Sequence, residues 1–207
     1  MRVIADGLEG PGAPLGEPNW LGWTPDEVAR RLAGVDVSWC VTAGWAVDLF
    51  VGRETREHGD LEIAIPAAAW PVVSRELSTL DFVVAGDGQL WQMNSANLDA
   101  HFQTWGRDAS GVFRLDVFRD PHDGDTWICR RDARLTRPYS ALIRKSSHGI
   151  PYMAPEVVLL FKAKHDRDKD RADLGVCFPL MSAVEREWLA AAIEMVYPGH
   201  PWLATLR

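Results

Sequence analysis

Asp60-Leu61-Glu62-Ile63-Ala64-Ile65 alternates acidic or small residues with large apolar ones, and no other stretch restricts the chain's fold so tightly. Strand side chains point to opposite faces with period two, so Leu61, Ile63 and Ile65 share one face and Asp60, Glu62 and Ala64 the other. The apolar face belongs in a core. The two carboxylates then stand side by side, and a divalent cation is the readiest way to offset their repulsion. Oxygen ligands alone suit Mg²⁺ or Mn²⁺ rather than zinc, and Mg²⁺ typically takes one or two protein carboxylates together with substrate phosphates. Taken by itself, the pair also suits the solvated face of an edge strand.

The residues upstream add to the first reading. Ala43-Gly44-Trp45-Ala46-Val47-Asp48-Leu49-Phe50-Val51-Gly52 reads as a glycine turn opening a short apolar helix that Gly52 stops. Gly44 allows close approach to the backbone, and the N–H groups of a first helical turn can meet a phosphate. Arg53, Arg56 and His58 follow in a loop, all able to donate to phosphate oxygens, the arginines through a planar fork.

Gly44-Trp45-Ala46-Val47-Asp48 followed by Gly52-Arg53-Glu54-Thr55-Arg56-Glu57-His58-Gly59-Asp60-Leu61-Glu62 resembles the signature of the polymerase-beta-type nucleotidyltransferases. It is most similar to the small antibiotic-resistance branch, the aminoglycoside 2''- and lincosamide nucleotidyltransferases. That pattern runs Gly-Gly-Trp-Ala, an aspartate, Gly-Arg, Thr-Arg, a histidine and Asp-x-Asp, so the match is far more specific than a lone glycine motif. The chain departs from it twice: Thr42-Ala43 stands where the family has glycine, and Glu62 occupies the second acid position.

The resemblance also implies a third acid on a later strand of the same sheet. At 112–118, Phe113, Leu115 and Val117 share one face, Arg114 and Asp116 the other. If this strand lies beside 60–65 with apolar faces aligned, Asp116 arrives on the carboxylate side, as metal ligand or as general base. Asp99, His101 and Asp120 are weaker candidates. A helix starting near Pro155 carries Lys162 four residues after Val158, on nearly the same face, where a cation needs an anionic partner. The resemblance implies a lysine directed to the nucleotide there; Lys164, Arg167, Asp168, Lys169, Asp170 and Asp173 also suit ordinary helical ion pairs.

Elsewhere, Thr24-Pro25-Asp26-Glu27 is a capping box with proline at the first helical position. Strands are expected at 38–42, 81–85 and 89–93 (a hairpin), 98–105, 127–131 and 141–145, and helices at 67–77 and 184–196. The net charge of −7 disfavours a general nucleic-acid binder. No run is long and apolar enough to span a bilayer, and the Gly- and Pro-rich beginning, 1–22, reads as a loose arm rather than a signal peptide. Three unpatterned cysteines fit reduced thiols, so the expected location is cytoplasmic.

The expected fold is therefore α/β (α+β): an arm at 1–22, a nucleotidyltransferase core with a mixed β-sheet flanked by helices at 23–150, and a helical part at 151–207, with the nucleotide in the cleft between the last two. The resemblance implies transfer of AMP from ATP, or another NMP from its NTP, to a hydroxyl of a small acceptor such as an aminoglycoside or lincosamide, with Mg²⁺ or Mn²⁺ as cofactor. Asp60, Glu62 and Asp116 are the expected metal and catalytic residues, and Gly44, Trp45, Arg53, Arg56, His58 and Lys162 the expected nucleotide contacts. Two other readings stay open: a nucleotidyltransferase acting on protein or tRNA, and a nucleotide-binding module without turnover.

Overall fold

The computed structural model describes residues 12–14 and 16–206. By contacts the chain divides into two compact units, Met1–Ser38 with His58–Asp120, and Trp39–Glu57 with Pro121–Arg207.

In the first unit the strands run in the order Ala13–Pro14, Gln89–Trp91, Asp81–Gly86, Gln103–Arg107, Phe113–Asp120, Glu62–Pro66. Glu62–Pro66 and Phe113–Asp120 pair in parallel and the other neighbours are antiparallel, so the sheet is mixed as expected. The parallel register sets Glu62 opposite Asp116 and Ile63 opposite Val117. Ile63, Ile65, Leu115 and Val117 are fully buried. Each such side chain contributes about 1.5–3 kcal/mol by leaving water, enough to fix the register, because a slip by one residue would turn the acids into the core.

The Pro25–Arg31 helix begins with the expected capping box, Thr24 accepting from the Glu27 N–H while the Glu27 carboxylate accepts from the Thr24 N–H. Pro71 lies in the first turn of the Trp70–Glu76 helix, where its missing N–H costs nothing.

Three expectations need correction here. The acidic strand starts at Glu62, leaving Asp60 and Leu61 ahead of it. The strand expected from 98 starts at Gln103, because Asn94 caps a Ser95–Ala100 helix by accepting from the Asn97 N–H at 2.8 Å. The loose arm holds neither for Ala13–Pro14, which is an edge strand, nor for 19–23, which runs along Phe113–Asp120 with Leu21 N–H donating to Phe113 O and Trp23 N–H to Arg114 O. Residues 1–11 of that arm lie outside the described residues.

In the second unit, Cys40–Val41 pairs in parallel with Pro151–Met153, which pairs in turn with Ile143–Lys145. Thr136–Pro138, Thr126–Ile128 and His122–Asp123 form a separate antiparallel sheet. The strands expected at 127–131 and 141–145 are shorter and shifted, since Tyr139–Leu142 folds as one helical turn. The Pro155–Ala163 helix packs against Ala43–Val51, Asp168–Cys177 and Ala183–Val196. Gly52 ends Ala43–Val51 in the left-handed conformation (φ 81°), its N–H donating to Asp48 O at 2.8 Å. No described helix is long and apolar enough to cross a membrane.

Candidate active site

The acids come together in the first unit. Glu62 is the first residue of its strand and Asp116 its direct partner in the parallel pair, so the two side chains leave neighbouring strands on the same face. Glu62 is half-buried and Asp116 buried. Asp116 Oδ2 accepts from the Gln103 side-chain amide at 2.8 Å. Gln103 lies on the strand antiparallel to Phe113–Asp120, where Trp105 is the residue directly opposite Asp116. A neutral amide fixes the orientation of a carboxylate without adding a countercharge.

Asp60 is exposed in the turn ahead of the strand, two residues from Glu62. Among the described residues no three His, Cys, Asp or Glu side chains gather closely enough to hold a metal by themselves. Two adjacent carboxylates nevertheless fit a Mg²⁺ that arrives with a triphosphate and takes its other ligands from phosphate and water.

Trp20, Trp105 and Phe113 form an aromatic cluster beside this pair, with ring centroids 5.2–5.4 Å apart. Farther along the strand, the buried Arg119 donates to Leu98 O and His101 O and lies over the Trp70 ring. Burial lowers its pKa to about 10. His101 stacks on Trp91 and fills the space where Gly86 has no Cβ, so its surroundings are those of a packing residue. Asp120 is buried opposite Pro66, one pair beyond Arg119.

The second unit holds the other sequence candidates except His58, which is half-buried at the start of the first unit's second segment. Gly44 and Trp45 sit in the first turn of Ala43–Val51. Thr42 caps that turn with no side-chain bond; its hydroxyl points instead to Met153 Sδ at 3.3 Å. Ala43 has φ 54°, a left-handed conformation that costs a residue with a Cβ about 1–2 kcal/mol. Glycine bears no such cost, so the first departure from the family pattern falls on a residue held under strain.

The loop after Gly52 is held at both ends. Buried Asp48 accepts from the Thr55 N–H at 3.1 Å and from the Thr55 hydroxyl. Arg56 Nε donates to Asp173 Oδ1 at 3.5 Å and Arg56 Nη1 to Glu57 O at 3.2 Å. Arg53 is exposed.

Lys162 is buried, as its place on the helix predicts. Its ammonium lies 2.6 Å from Asp173 Oδ2 and 3.7 Å from Asp170 Oδ1. Arg167 donates to Asp170 in turn at 2.8 Å. Burial by itself would raise the Asp170 pKa, yet hydrogen bonds from the Arg167 side chain and backbone and the charge of Lys162 leave it below its ordinary value. Sequence reasoning missed Asp173 as the point where Arg56 and Lys162 meet, and it missed Gln103, whose type carries no chemical signature and which only register identifies.

A mixed sheet whose parallel pair presents adjacent acids, preceded in sequence by a glycine turn and an arginine loop, is the arrangement of a nucleotidyltransferase. The fold agrees with solved structures. Antibiotic-resistance factor ANT(2'')-Ia matches at 13% identity and TM-score 0.56, covering 83% of this chain and 90% of that one. The same enzyme in complex with adenylyl-2''-tobramycin matches at 12% identity and TM-score 0.56, covering 82% and 95%. Lincosamide antibiotic adenylyltransferase LnuA, lincomycin-bound, matches at 16% identity and TM-score 0.54, covering 75% and 95%. A comparison with curated proteins gives no match. Residues 26–174 match the family model of aminoglycoside-2''-adenylyltransferase, and the chain belongs to that family.

Proposed function

We propose that this enzyme transfers AMP from ATP to a hydroxyl group of an aminoglycoside or lincosamide antibiotic and releases pyrophosphate. The observation that carries the proposal is the parallel register that sets Glu62 beside Asp116, with Gln103 orienting the latter. The acceptor oxygen attacks the α-phosphorus, the bond from that phosphorus to the bridging oxygen of the β-phosphate breaks, and the hydroxyl proton passes to a carboxylate. Asp116 is buried and held in one orientation, which suits it to receive that proton or to serve as the third ligand. Asp60 and Glu62, with Asp116 in the second case, would hold Mg²⁺ or Mn²⁺. Such an ion, bound with the triphosphate, offsets charge on the attacked and departing groups.

Gly44 and Trp45, in the first turn of Ala43–Val51, with Arg53 and His58, are the proposed triphosphate contacts. Arg56 joins them from a fixed position, because Asp173 holds its Nε and Lys162 holds Asp173. On this reading Lys162 acts through Asp173 and Arg56. Much of the rate gain then comes from positioning and preorganised charge. The three buried thiols suit a cytoplasmic setting.

The test uses ATP labelled at the α-phosphate, Mg²⁺ and a panel of both antibiotic classes. Label should move to a drug and pyrophosphate should appear; label on protein or tRNA with a flat drug panel would replace the acceptor, and nucleotide binding without any transfer would leave a silent module. Asp60→Asn should abolish transfer while leaving the melting temperature in place, and an unchanged rate in that variant would remove Asp60 from the site. Glu62→Asp should keep or raise the rate.

A further inference from the structure

The segment 19–23 is tied to one of the strands that bring the acids together and to the loop that leads into the other. Leu21 N–H and Trp23 N–H donate to Phe113 O at 3.0 Å and Arg114 O at 2.9 Å, while Phe113 N–H donates back to Asn19 O at 2.9 Å. On its other side Gly22 N–H donates to Gly59 O at 3.1 Å. Rings anchor the segment at each end: Trp20 packs on Trp105 and Phe113, and buried Trp23 lies under the Arg31 guanidinium, 4.0 Å from the ring centroid. Between these anchors the backbone of Gly22 presses on the peptide that joins Asp60 to Leu61. A Cβ at Gly22 would lie 2.8 Å from Asp60 C, 2.8 Å from Leu61 N and 2.9 Å from Asp60 Cα. Those are backbone atoms, so no side-chain rotation can make room.

We propose that Gly22 is a positioning residue for Asp60: the segment 19–23 clamps the entry of the acidic strand at a fixed distance from the Asp116 strand, and only glycine lets it come close enough. This rests on the carboxylate roles given above. A Cβ at this position must push the Asp60–Leu61 backbone away by several tenths of an ångström, against the bond that Asp116 N–H donates to Leu61 O at 2.9 Å, and so alters the spacing of the acids. Residues that orient metal ligands from behind typically change metal affinity or activity by about 10–100-fold when replaced, which sets the size of the expected effect.

The experiment follows the free Mn²⁺ paramagnetic resonance signal as the full-length protein is titrated in the presence of a non-hydrolysable ATP analogue, with label transfer measured in parallel. Gly22→Ala should bind Mn²⁺ about tenfold more weakly than wild type and lose transfer to a similar degree. Gly34→Ala, whose added Cβ meets nothing within 4 Å, should behave as wild type. Equal Mn²⁺ affinity and equal transfer in Gly22→Ala and wild type would overturn the inference alone. Absence of Mn²⁺ binding by wild type would overturn the carboxylate reading and this inference with it. Should Gly22→Ala fail to fold, hydrogen exchange of wild type decides: the Gly22 and Trp23 amides should be protected to a degree similar to that of Asp116, and exchange at the rate of an unstructured chain would overturn the clamp.

Discussion

Two groups of carboxylates, one in each unit, are held by different partners. In the second unit Asp173 meets the cations of Lys162 and Arg56, and Asp170 meets Arg167. In the first unit Asp116 lies beside another acid, Glu62, and is oriented by the neutral amide of Gln103. A carboxylate among cations has its charge balanced within the fold, and removing it strands a buried cation. A carboxylate oriented by an amide beside a second carboxylate has its geometry fixed next to another acid, as a site for a cation and a proton requires. On the proposed function, the contrast separates acids that chiefly stabilise from acids that react.

Substitutions can break that contrast, and the largest effect is expected at Asp116. Asp116→Asn keeps the shape and can still accept from Gln103, so transfer should fall by about 10²–10⁴-fold with little change in melting temperature; steady-state label transfer beside a thermal melt reads both. The next largest effect belongs to the other group. Asp173→Ala leaves Lys162 buried without its nearest anion and should cost about 3–5 kcal/mol in urea unfolding, and the double variant with Lys162→Met should recover part of that loss.

A smaller change sharpens the comparison at the helix that precedes the arginine loop. Ala43→Gly relieves the left-handed strain and restores the family's glycine, so stability should rise by up to about 1 kcal/mol in the same unfolding assay. The smallest effect is one of pH. Hydrogen bonds from Arg171 and Trp202 lower the Asp166 carboxyl from its ordinary value of 3.8 to about 2. Because the folded-state value is the depressed one, the contribution is present above 3.8 and fades as the pH falls through 2. Asp166 is near the surface, where screening keeps such contributions small. Asp166→Asn should therefore shift acid unfolding slightly and leave transfer at neutral pH unchanged.

Much of the candidate site's placement was legible because local rules fixed it. Period-two alternation in two separate segments put Glu62 and Asp116 on matching faces, and burying Ile63 and Val117 left one register in which both strands keep their apolar sides inward. The Thr24 capping box and the Gly52 stop are contained within a few residues and needed no knowledge of the rest. What escaped depends on partners distant in sequence. Gln103 matters because it lies across from the Asp116 strand, Asp173 because a helix and a loop converge on it, and Gly22 because a segment of no evident pattern runs against the Asp60 peptide. The Ser95–Ala100 helix was hidden for another reason: asparagine capping outweighed the strand tendency of the residues that follow.

The most direct test compares Asp116→Asn and Asp173→Asn in one preparation series, measuring AMP transfer per folded molecule and the urea midpoint for each. The expected result is loss of transfer at normal stability for Asp116→Asn, and for Asp173→Asn a loss of stability with a smaller fall in transfer per folded molecule, because Asp173 acts on the site only through Arg56. Full transfer by Asp116→Asn, or a collapse of its fold, would contradict the division between reacting and stabilising acids.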